Sequence, residues 1–149
     1  VIFASEDASR AAAAGGAVRT EGSVFMARLL QYLECPQYLR KSIFPMHPDL
    51  RYVGLLAPLD ASNHPRSNEQ CAYREGLISE KPPHAHGSYA SVGLPKDVQV
   101  DRTLPAGTRV TVRMPDPEAK GSLGTVVAPR EPREKLGLHW GYSVRMAKD

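Results

Sequence analysis

The run from Leu29 to Asp60, LLQYLECPQYLRKSIFPMHPDLRYVGLLAPLD, limits the fold more than any other part of the chain. Its prolines restrict helices, because proline lacks an amide N–H and disfavours helical backbone in the residue before it. Ser23 can cap a helix, and the apolar spacing that follows predicts a helix over about 24–35, ended by Pro36. A second helical turn over 36–41 should begin with Pro36 at its first position.

The prolines at 45 and 48 then exclude further helix, so residues 50–60 should be extended or irregular. Four apolar residues of this segment are expected to be buried: Val53, Leu55, Leu56 and Leu59. Residues 61–72 are polar and predict a surface loop. At the N-terminus, residues 1–5 predict a short apolar strand, and the small and polar residues 6–22 predict a loop.

From about residue 75 the pattern changes to short apolar runs separated by Pro, Gly and Asp, which predicts about five strands. The predicted strand regions are Gly76–Ile78, Gly87–Gly93, Val98–Val100, Thr108–Met114, Gly124–Ala128 and Trp140–Met146. So small a sheet usually closes into a barrel, and an OB-like barrel is the natural candidate. We therefore predict an α/β fold over 1–75 and 145–149, with a β insertion at 76–144.

Composition sets only broad limits on function. The charge of +3 and the pI near 9.0 are compatible with nucleic-acid binding and are equally common in proteins that do not bind it. No apolar stretch is long enough to span a bilayer, and no secretory signal is visible. Cys35 and Cys71 form no CxxC pair, which favours reduced structural thiols and an intracellular location. The expected compartment is the nucleus, nucleolus or cytoplasm. A chain that begins at Val1, in a strand-like segment, has the character of a fragment.

Basic residues form two groups that could contact phosphates. The first follows the predicted helices, with tyrosines among the cations: Arg40, Lys41, Arg51, Arg66 and Arg74, beside Tyr32, Tyr38 and Tyr52. The second lies in the β part: Arg109, Arg113, Arg130, Arg133, Lys135 and Arg145. Guanidinium groups bind phosphate through paired hydrogen bonds, and aromatic rings stack with bases. Scattered solvated charge explains both groups equally well.

Other reactive side chains support no specific chemistry. His64, near Asp60 and Arg66, could act as a general base, but loop histidines are usually surface residues. Cys35 could be a nucleophile, although no base is paired with it, and burial explains it better. His84 and His86 could bind a metal, although a proline-rich turn is the simpler interpretation. The chain has no GxGxxG, GxxxxGK[ST] or HExxH motif and no pair of catalytic carboxylates.

The run from Leu29 to Asp60, with Arg74-Glu75-Gly76, resembles the SPOUT-class RNA methyltransferases that carry an OB-like insertion. That family includes archaeal proteins and an animal protein associated with the spindle and centromere. The resemblance continues through PAGTRVTVR at 105–113 and GLHWGYSVR at 137–145, and it covers about 24–147. It implies an α/β-knot domain interrupted by the barrel, S-adenosylmethionine as cofactor and a homodimer formed through the knot domain.

The resemblance also implies functions for particular residues. It places Arg40 where an arginine positions the RNA substrate. The two groups of basic residues supply the other predicted RNA contacts: Lys41, Arg66, Arg74, Arg109, Arg113, Arg133 and Lys135. The loops that hold S-adenosylmethionine are expected beyond Asp149, so no cofactor-binding residue is predicted and this segment alone should be inactive. The expected substrate is RNA, with a uridine base of ribosomal RNA as one target. The alternative is a non-catalytic RNA-binding or scaffold protein of a ribonucleoprotein or spindle assembly.

Overall fold

A computed structural model describes residues 21–118 and 121–146 of the chain. The predicted strand at 1–5 and almost all of the predicted loop at 6–22 lie outside these residues. The described part begins with helix α1 (Gly22–Glu34) and helix α2 (Gln37–Ile43), followed by short 3-10 helices at Pro48–Leu50 and Val53–Leu55. The two predicted helices are confirmed, with boundaries that differ by one to two residues.

The caps of both helices differ from the prediction. Glu21 precedes the first turn of α1, whereas Ser23 lies inside that turn and its hydroxyl donates to the Glu21 carboxylate at 2.9 Å. Pro36 stands before α2 with extended backbone rather than at its first helical position. The prediction of Ser23 as the cap was therefore wrong, because helical backbone begins one residue before it.

The prediction of four buried apolar residues after α2 was also wrong. Leu55 and Leu56 are 85% and 45% exposed, and Val53 and Leu59 are only half-buried. Leu55 is the last residue of the second 3-10 helix. Apolar composition alone had suggested burial, but the described part of the chain provides no surface that covers these side chains.

Five strands form one antiparallel sheet in the order β3-β2-β1-β4-β5. Their bounds are β1 Tyr73–Ile78, β2 Tyr89–Ser91, β3 Val98–Gln99, β4 Arg109–Arg113 and β5 Thr125–Val127. The sheet curls until its edges meet, since Val100 and Gly124 form a parallel bridge. A Cβ on Gly124 would lie 2.7 Å from the Val112 side chain, so this close approach requires glycine.

The chain forms helix α3 (Glu131–Leu136) before the last predicted strand, Trp140–Met146. That prediction was wrong for residues 140–145, which run without strand pairing among the described residues, whereas Met146 lies in a β-bridge. Gly137 ends α3 in the left-handed conformation, with φ of 64°, which glycine adopts without steric cost. The segment after α3 crosses back to α1, because the hydroxyl of Tyr142 donates to the carbonyl oxygen of Leu30 at 2.7 Å.

The inner face of the curled sheet holds its own apolar core. That core consists of Ile78, Ala90, Val92, Val100, Val110 and Val112. Successive side chains of β4 point to opposite faces, so Val110 and Val112 face this core while Arg109 and Arg113 are exposed. Thr111 lies on the opposite face, where it is buried and accepts a hydrogen bond from Trp140 at 3.2 Å. We call residues 73–136, which include the five strands and α3, the sheet unit.

Candidate nucleic-acid interface

The C-terminal end of α1 is stabilised by side chains from distant parts of the chain. Arg40 donates to the carbonyl oxygens of Cys35 at 2.9 Å and Leu33 at 3.2 Å, and its guanidinium carbon lies 4.7 Å from the centre of the Tyr32 ring. The last carbonyls of a helix lack partners within the helix, so these contacts satisfy acceptors that would otherwise need water. Arg40 is therefore held firmly at the helix end by groups of the protein itself.

The loop after the 3-10 helices caps the same helix end. The Nε2 atom of His64 lies 2.7 Å from the carbonyl oxygen of Glu34, and Asn63 donates to that oxygen at 3.4 Å. Burial lowers the pKa of His64, although its hydrogen bond to Glu34 opposes this effect. A neutral imidazole that donates from Nε2 suits a structural cap, and this geometry gives His64 no role as a general base.

Three charged side chains form what we call the polar junction: Glu34 of α1, Glu75 of β1 and Arg109 of β4. Arg109 makes two parallel hydrogen bonds to the carboxylate of Glu34, at 2.9 and 3.0 Å, and donates from Nε to Glu75 at 2.8 Å. A second nitrogen of Arg109 also pairs with Glu75. The junction thus joins α1 to the two central strands of the sheet.

Burial affects the ionisation of the junction. It raises the pKa of Glu75, although the charge of Arg109 pulls it down. For Arg109, burial alone would lower the pKa, but its hydrogen bonds and proximity to Glu34 and Glu75 raise the pKa overall. Arg109 therefore stays protonated, and its hydrogen-bonding groups are directed to two carboxylates rather than to solvent.

A groove of about 1030 Å³ opens between α1, α2 and residues 44–53. Its lining includes the cations Arg40, Lys41 and Arg51, and none of the described lining residues is acidic. The rings of Tyr32 and Phe44 meet edge to face in its wall, with centroids 5.3 Å apart. Cations beside aromatic rings are the surface that single-stranded nucleic acid prefers.

A second basic surface surrounds α3. Arg113 of β4 and Lys135 of α3 pair with the same carboxylate, Glu131, at 3.3 and 3.0 Å. Arg133 lies on the same short helix and is exposed. The side chains of Arg113 and Lys135 remain 45% and 54% exposed, so their charges still face solvent. Ion pairs this exposed contribute little stability and exchange readily for phosphate contacts.

Arg74 and Arg66, both predicted to contact RNA, occupy opposite environments. Arg74 is 1% exposed and donates to the carbonyl oxygens of Arg66 at 2.6 Å, Glu69 at 2.7 Å and Val92 at 3.3 Å. The side chain of Arg66 is exposed. The guanidinium of Arg74 thus fixes the loop before β1, and only Arg66 of this pair offers its charge to a ligand.

The remaining candidates show no reactive arrangement. Burial raises the pKa of the Cys35 thiol to about 11, so the thiolate needed for a nucleophile is disfavoured. The rings of His84 and His86 lie 6.1 Å apart in an exposed turn. Within residues 21–118 and 121–146, no three metal-ligating side chains cluster together. No helix in this part of the chain is long and apolar enough to cross a membrane.

Comparison with known proteins identifies the family. The model of the family described as "Putative RNA methyltransferase" matches residues 1–149. This chain belongs to that RNA methyltransferase family. It is 50% identical over 131 residues to the 28S rRNA (uridine-N(3))-methyltransferase of Mus musculus, covering 85% of this chain and 34% of the mouse protein.

Relatives from other animals show the same relationship. The protein of the same name from Homo sapiens is 48% identical over 131 residues, which are 85% of this chain and 35% of the human protein. The Drosophila melanogaster protein of that name is 51% identical over 135 residues, 89% of this chain and 27% of the fly protein. The chain thus spans about a third of the length of these RNA methyltransferases.

Sequence reasoning missed the residues that join the sheet unit to α1, chiefly Glu34, Glu75 and Tyr142. One signal was present in the sequence. An acidic residue at the C-terminal end of a helix is unfavourable beside the helix dipole, so Glu34 needed a cationic partner from elsewhere. Nothing in the sequence identified that partner as Arg109, because the two residues are 75 positions apart.

Proposed function

We propose that this chain is part of an S-adenosylmethionine-dependent methyltransferase that acts on ribosomal RNA. The observation that carries the proposal is the similarity, at about half identity over 85% of the chain, to mouse and human proteins named as 28S rRNA uridine-N3 methyltransferases. Uridine is the proposed target for the same reason. Because the chain spans a third of those proteins, activity is assigned to the intact protein.

In this proposal the sheet unit is an OB-like barrel that binds RNA. The strand order and the parallel bridge between Val100 and Gly124 support it, since they bring β3 beside β5 and close the sheet. We also propose the division predicted from sequence, with a barrel at about 76–144 inserted into an α/β-knot domain. In the structure β1 begins at Tyr73, so the first strand starts slightly before that boundary.

The proposed RNA contacts are the exposed cations of the two basic surfaces, together with the exposed Arg66 of the loop before β1. Those of the two surfaces are Lys41, Arg51, Arg113, Arg133 and Lys135. Arg40 is proposed to position RNA indirectly, because its guanidinium shapes the wall of the groove while holding the end of α1. Arg74 and Arg109 are left out of this set. Their hydrogen bonds go to carbonyl oxygens and carboxylates of the protein.

S-adenosylmethionine would supply the methyl group, but none of the described residues is assigned to it. Its sulfonium is a cation, and the lining of the groove carries three cations without a carboxylate. The carboxylates of Glu34 and Glu75 are already paired with Arg109. The groove therefore fits RNA phosphate better than it fits the methyl donor.

Three further features of the proposal come from the family resemblance. The intact protein is proposed to form a knot, to be a homodimer through the knot domain, and to act in the nucleus, nucleolus or cytoplasm. Light scattering on the purified protein tests the dimer, and imaging of a fluorescent fusion tests the compartment. A monomer would contradict the proposed homodimer. A location apart from ribosomal RNA and its precursors would contradict the proposed compartment.

The direct experiment incubates the intact protein with ribosomal RNA and S-adenosylmethionine carrying a labelled methyl group. We expect label to appear in the large ribosomal RNA, on a uridine base. Binding of RNA without transfer would favour the non-catalytic RNA-binding alternative. Absence of both binding and transfer would overturn the proposal.

The RNA surface is tested by the salt dependence of binding. Lys41→Gln in the intact protein should weaken RNA binding and reduce the slope of log K against log salt by about 0.7, the value for one single-strand phosphate contact. Lys96→Gln is the matched control, since Lys96 is an exposed lysine outside both surfaces. Equal effects of the two substitutions would contradict the assignment of Lys41.

A further inference from the structure

The sheet unit contacts α1 through the hydrogen bonds of Arg109 with Glu34. The buried residues of the apolar core of the sheet all lie between Ile78 and Val112 in the sequence, so no residue of α1 or α2 belongs to that core. Tyr38 of α2 packs closely against the sheet unit, since its ring would be only 2.6 Å from a Cβ placed on Gly93. Its hydroxyl also donates to the carbonyl oxygen of Glu75 at 2.7 Å.

The polar junction is the best-defined link across this boundary. The side chains of Glu34 and Glu75 are 12% and 8% exposed, and the Arg109 fork lies against both. Two parallel hydrogen bonds between guanidinium and carboxylate fix both the distance and the plane of the contact. Tyr142, bonded to the Leu30 carbonyl oxygen, adds a second point of attachment on α1.

A contact of this kind specifies geometry more than it adds stability. Taking charges out of water offsets much of their attraction, so a buried pair often stabilises a fold no better than apolar residues of similar size. An apolar contact in the same place would allow the sheet unit to slide or rotate against α1, because hydrophobic contact has no preferred direction. The bidentate pair allows one orientation.

We propose that Glu34 and Arg109 are positioning residues that fix the angle between the sheet unit and α1. They hold RNA bound on the surface around α3 in one orientation relative to RNA bound in the groove beside Lys41. The proposal rests on the proposed function for its consequence in catalysis, but the fixed angle is a property of the protein itself. Loss of the junction leaves both RNA surfaces intact and uncouples them.

The first test measures the angle without RNA or methyl transfer. Spin labels are placed in the intact protein at two exposed positions, Gln31 on α1 and Thr103 on the sheet unit, through unnatural amino acids. We expect one narrow distance distribution in the wild type and a clearly broader one in Arg109→Met. Arg109→Lys keeps the charge without the fork and should be intermediate, and Glu34→Gln should also broaden the distribution.

Arg113→Met is the matched control, because Arg113 lies on the same strand and the same face, and its paired side chain remains 45% exposed. Its distribution should stay as narrow as in the wild type. A narrow distribution in Arg109→Met, or equal broadening in Arg113→Met, would overturn the proposal. If Arg109→Met does not fold, the lysine variant and Glu34→Gln carry the same test.

The second test separates binding from turnover. In Arg109→Met we expect an unchanged dissociation constant for ribosomal RNA and a kcat at least about tenfold lower, since misplacement by about 1 Å can cost 10²-fold in rate. A merely structural role would lower the melting temperature without changing kcat well below that temperature. If the wild type transfers no methyl group, the proposed function fails while the spin-label test still decides the inference.

Discussion

Replacing Arg74 by methionine tests whether this arginine serves the fold or the RNA. The guanidinium is almost fully buried, and three backbone carbonyl oxygens accept its hydrogen bonds, those of Arg66, Glu69 and Val92. Two of the contacts are short, at 2.6 and 2.7 Å, whereas the third is 3.3 Å. The substitution removes all three and leaves the aliphatic part of the side chain.

The expected loss of stability follows from these contacts. A hydrogen bond to a charged group contributes about 1.5–3 kcal/mol, so the two short contacts set the scale. Methionine fills much of the same volume, which keeps the cavity cost small. Of the three residues whose carbonyls lose a donor, Arg66 and Glu69 are exposed, so water replaces part of the loss, whereas Val92 is buried. We expect about 3 kcal/mol in total, which corresponds to a melting temperature about 10 °C lower.

Urea unfolding of the intact protein measures the effect, and RNA affinity is measured under conditions where both proteins are folded. Arg113→Met is the control and should cost less than about 1 kcal/mol, as exposed ion pairs do. We expect unchanged RNA affinity in Arg74→Met. An unfolding free energy close to that of the wild type, together with weaker RNA binding, would refute the structural role.

Three further predictions concern other buried groups. Burial raises the folded-state pKa of Glu75, so its contribution to the free energy of unfolding is present below pH 4.5 and is lost as the pH rises through the folded-state pKa. Glu75→Gln should reduce this loss of unfolding free energy between pH 4 and 7, as measured by urea melts at each pH. An unchanged slope of unfolding free energy against pH would contradict the prediction. Iodoacetamide should modify Cys71 before Cys35 in the native protein, as read by mass spectrometry, because Cys35 is fully buried; equal rates would argue against that burial. Tyr142→Phe should cost about 0.5–1.5 kcal/mol through loss of its bond to α1, and a calorimetric melt identical to the wild type would show that this bond is unimportant.

The local elements were predictable where one physical rule acted alone. Pro36 separates α1 from α2 because proline cannot continue a helix, and the alternation of Val110 and Val112 with polar residues identified β4. Where two rules competed, the sequence misled. The apolar run at 53–59 suggested burial, but Leu55 and Leu56 are exposed. The segment at 140–146 resembled a strand but pairs with none of the described strands.

Some of the predicted functional residues can contact RNA and others cannot. The difference depends on what surrounds each charge, which the sequence does not record. Lys41 and Arg133 remain exposed on the surface, as predicted for RNA contacts. Arg74 and Arg109 were predicted to contact RNA from the same kind of basic sequence pattern. The fold instead places their guanidinium groups against carbonyl oxygens and carboxylates of the protein. An arginine in a sequence is equally compatible with both environments.

The sequence by itself determined the family, the helix pair divided by Pro36 and the succession of short strands, because these depend on local residue pattern and on similarity along the chain. Only the tertiary structure decided how the sheet unit joins α1. Glu75 and Arg109 meet because β1 pairs with β4, and Glu34 joins them because the end of α1 lies beside these two strands. Contacts between residues so far apart depend on the path of the backbone in space, which residue spacing does not record.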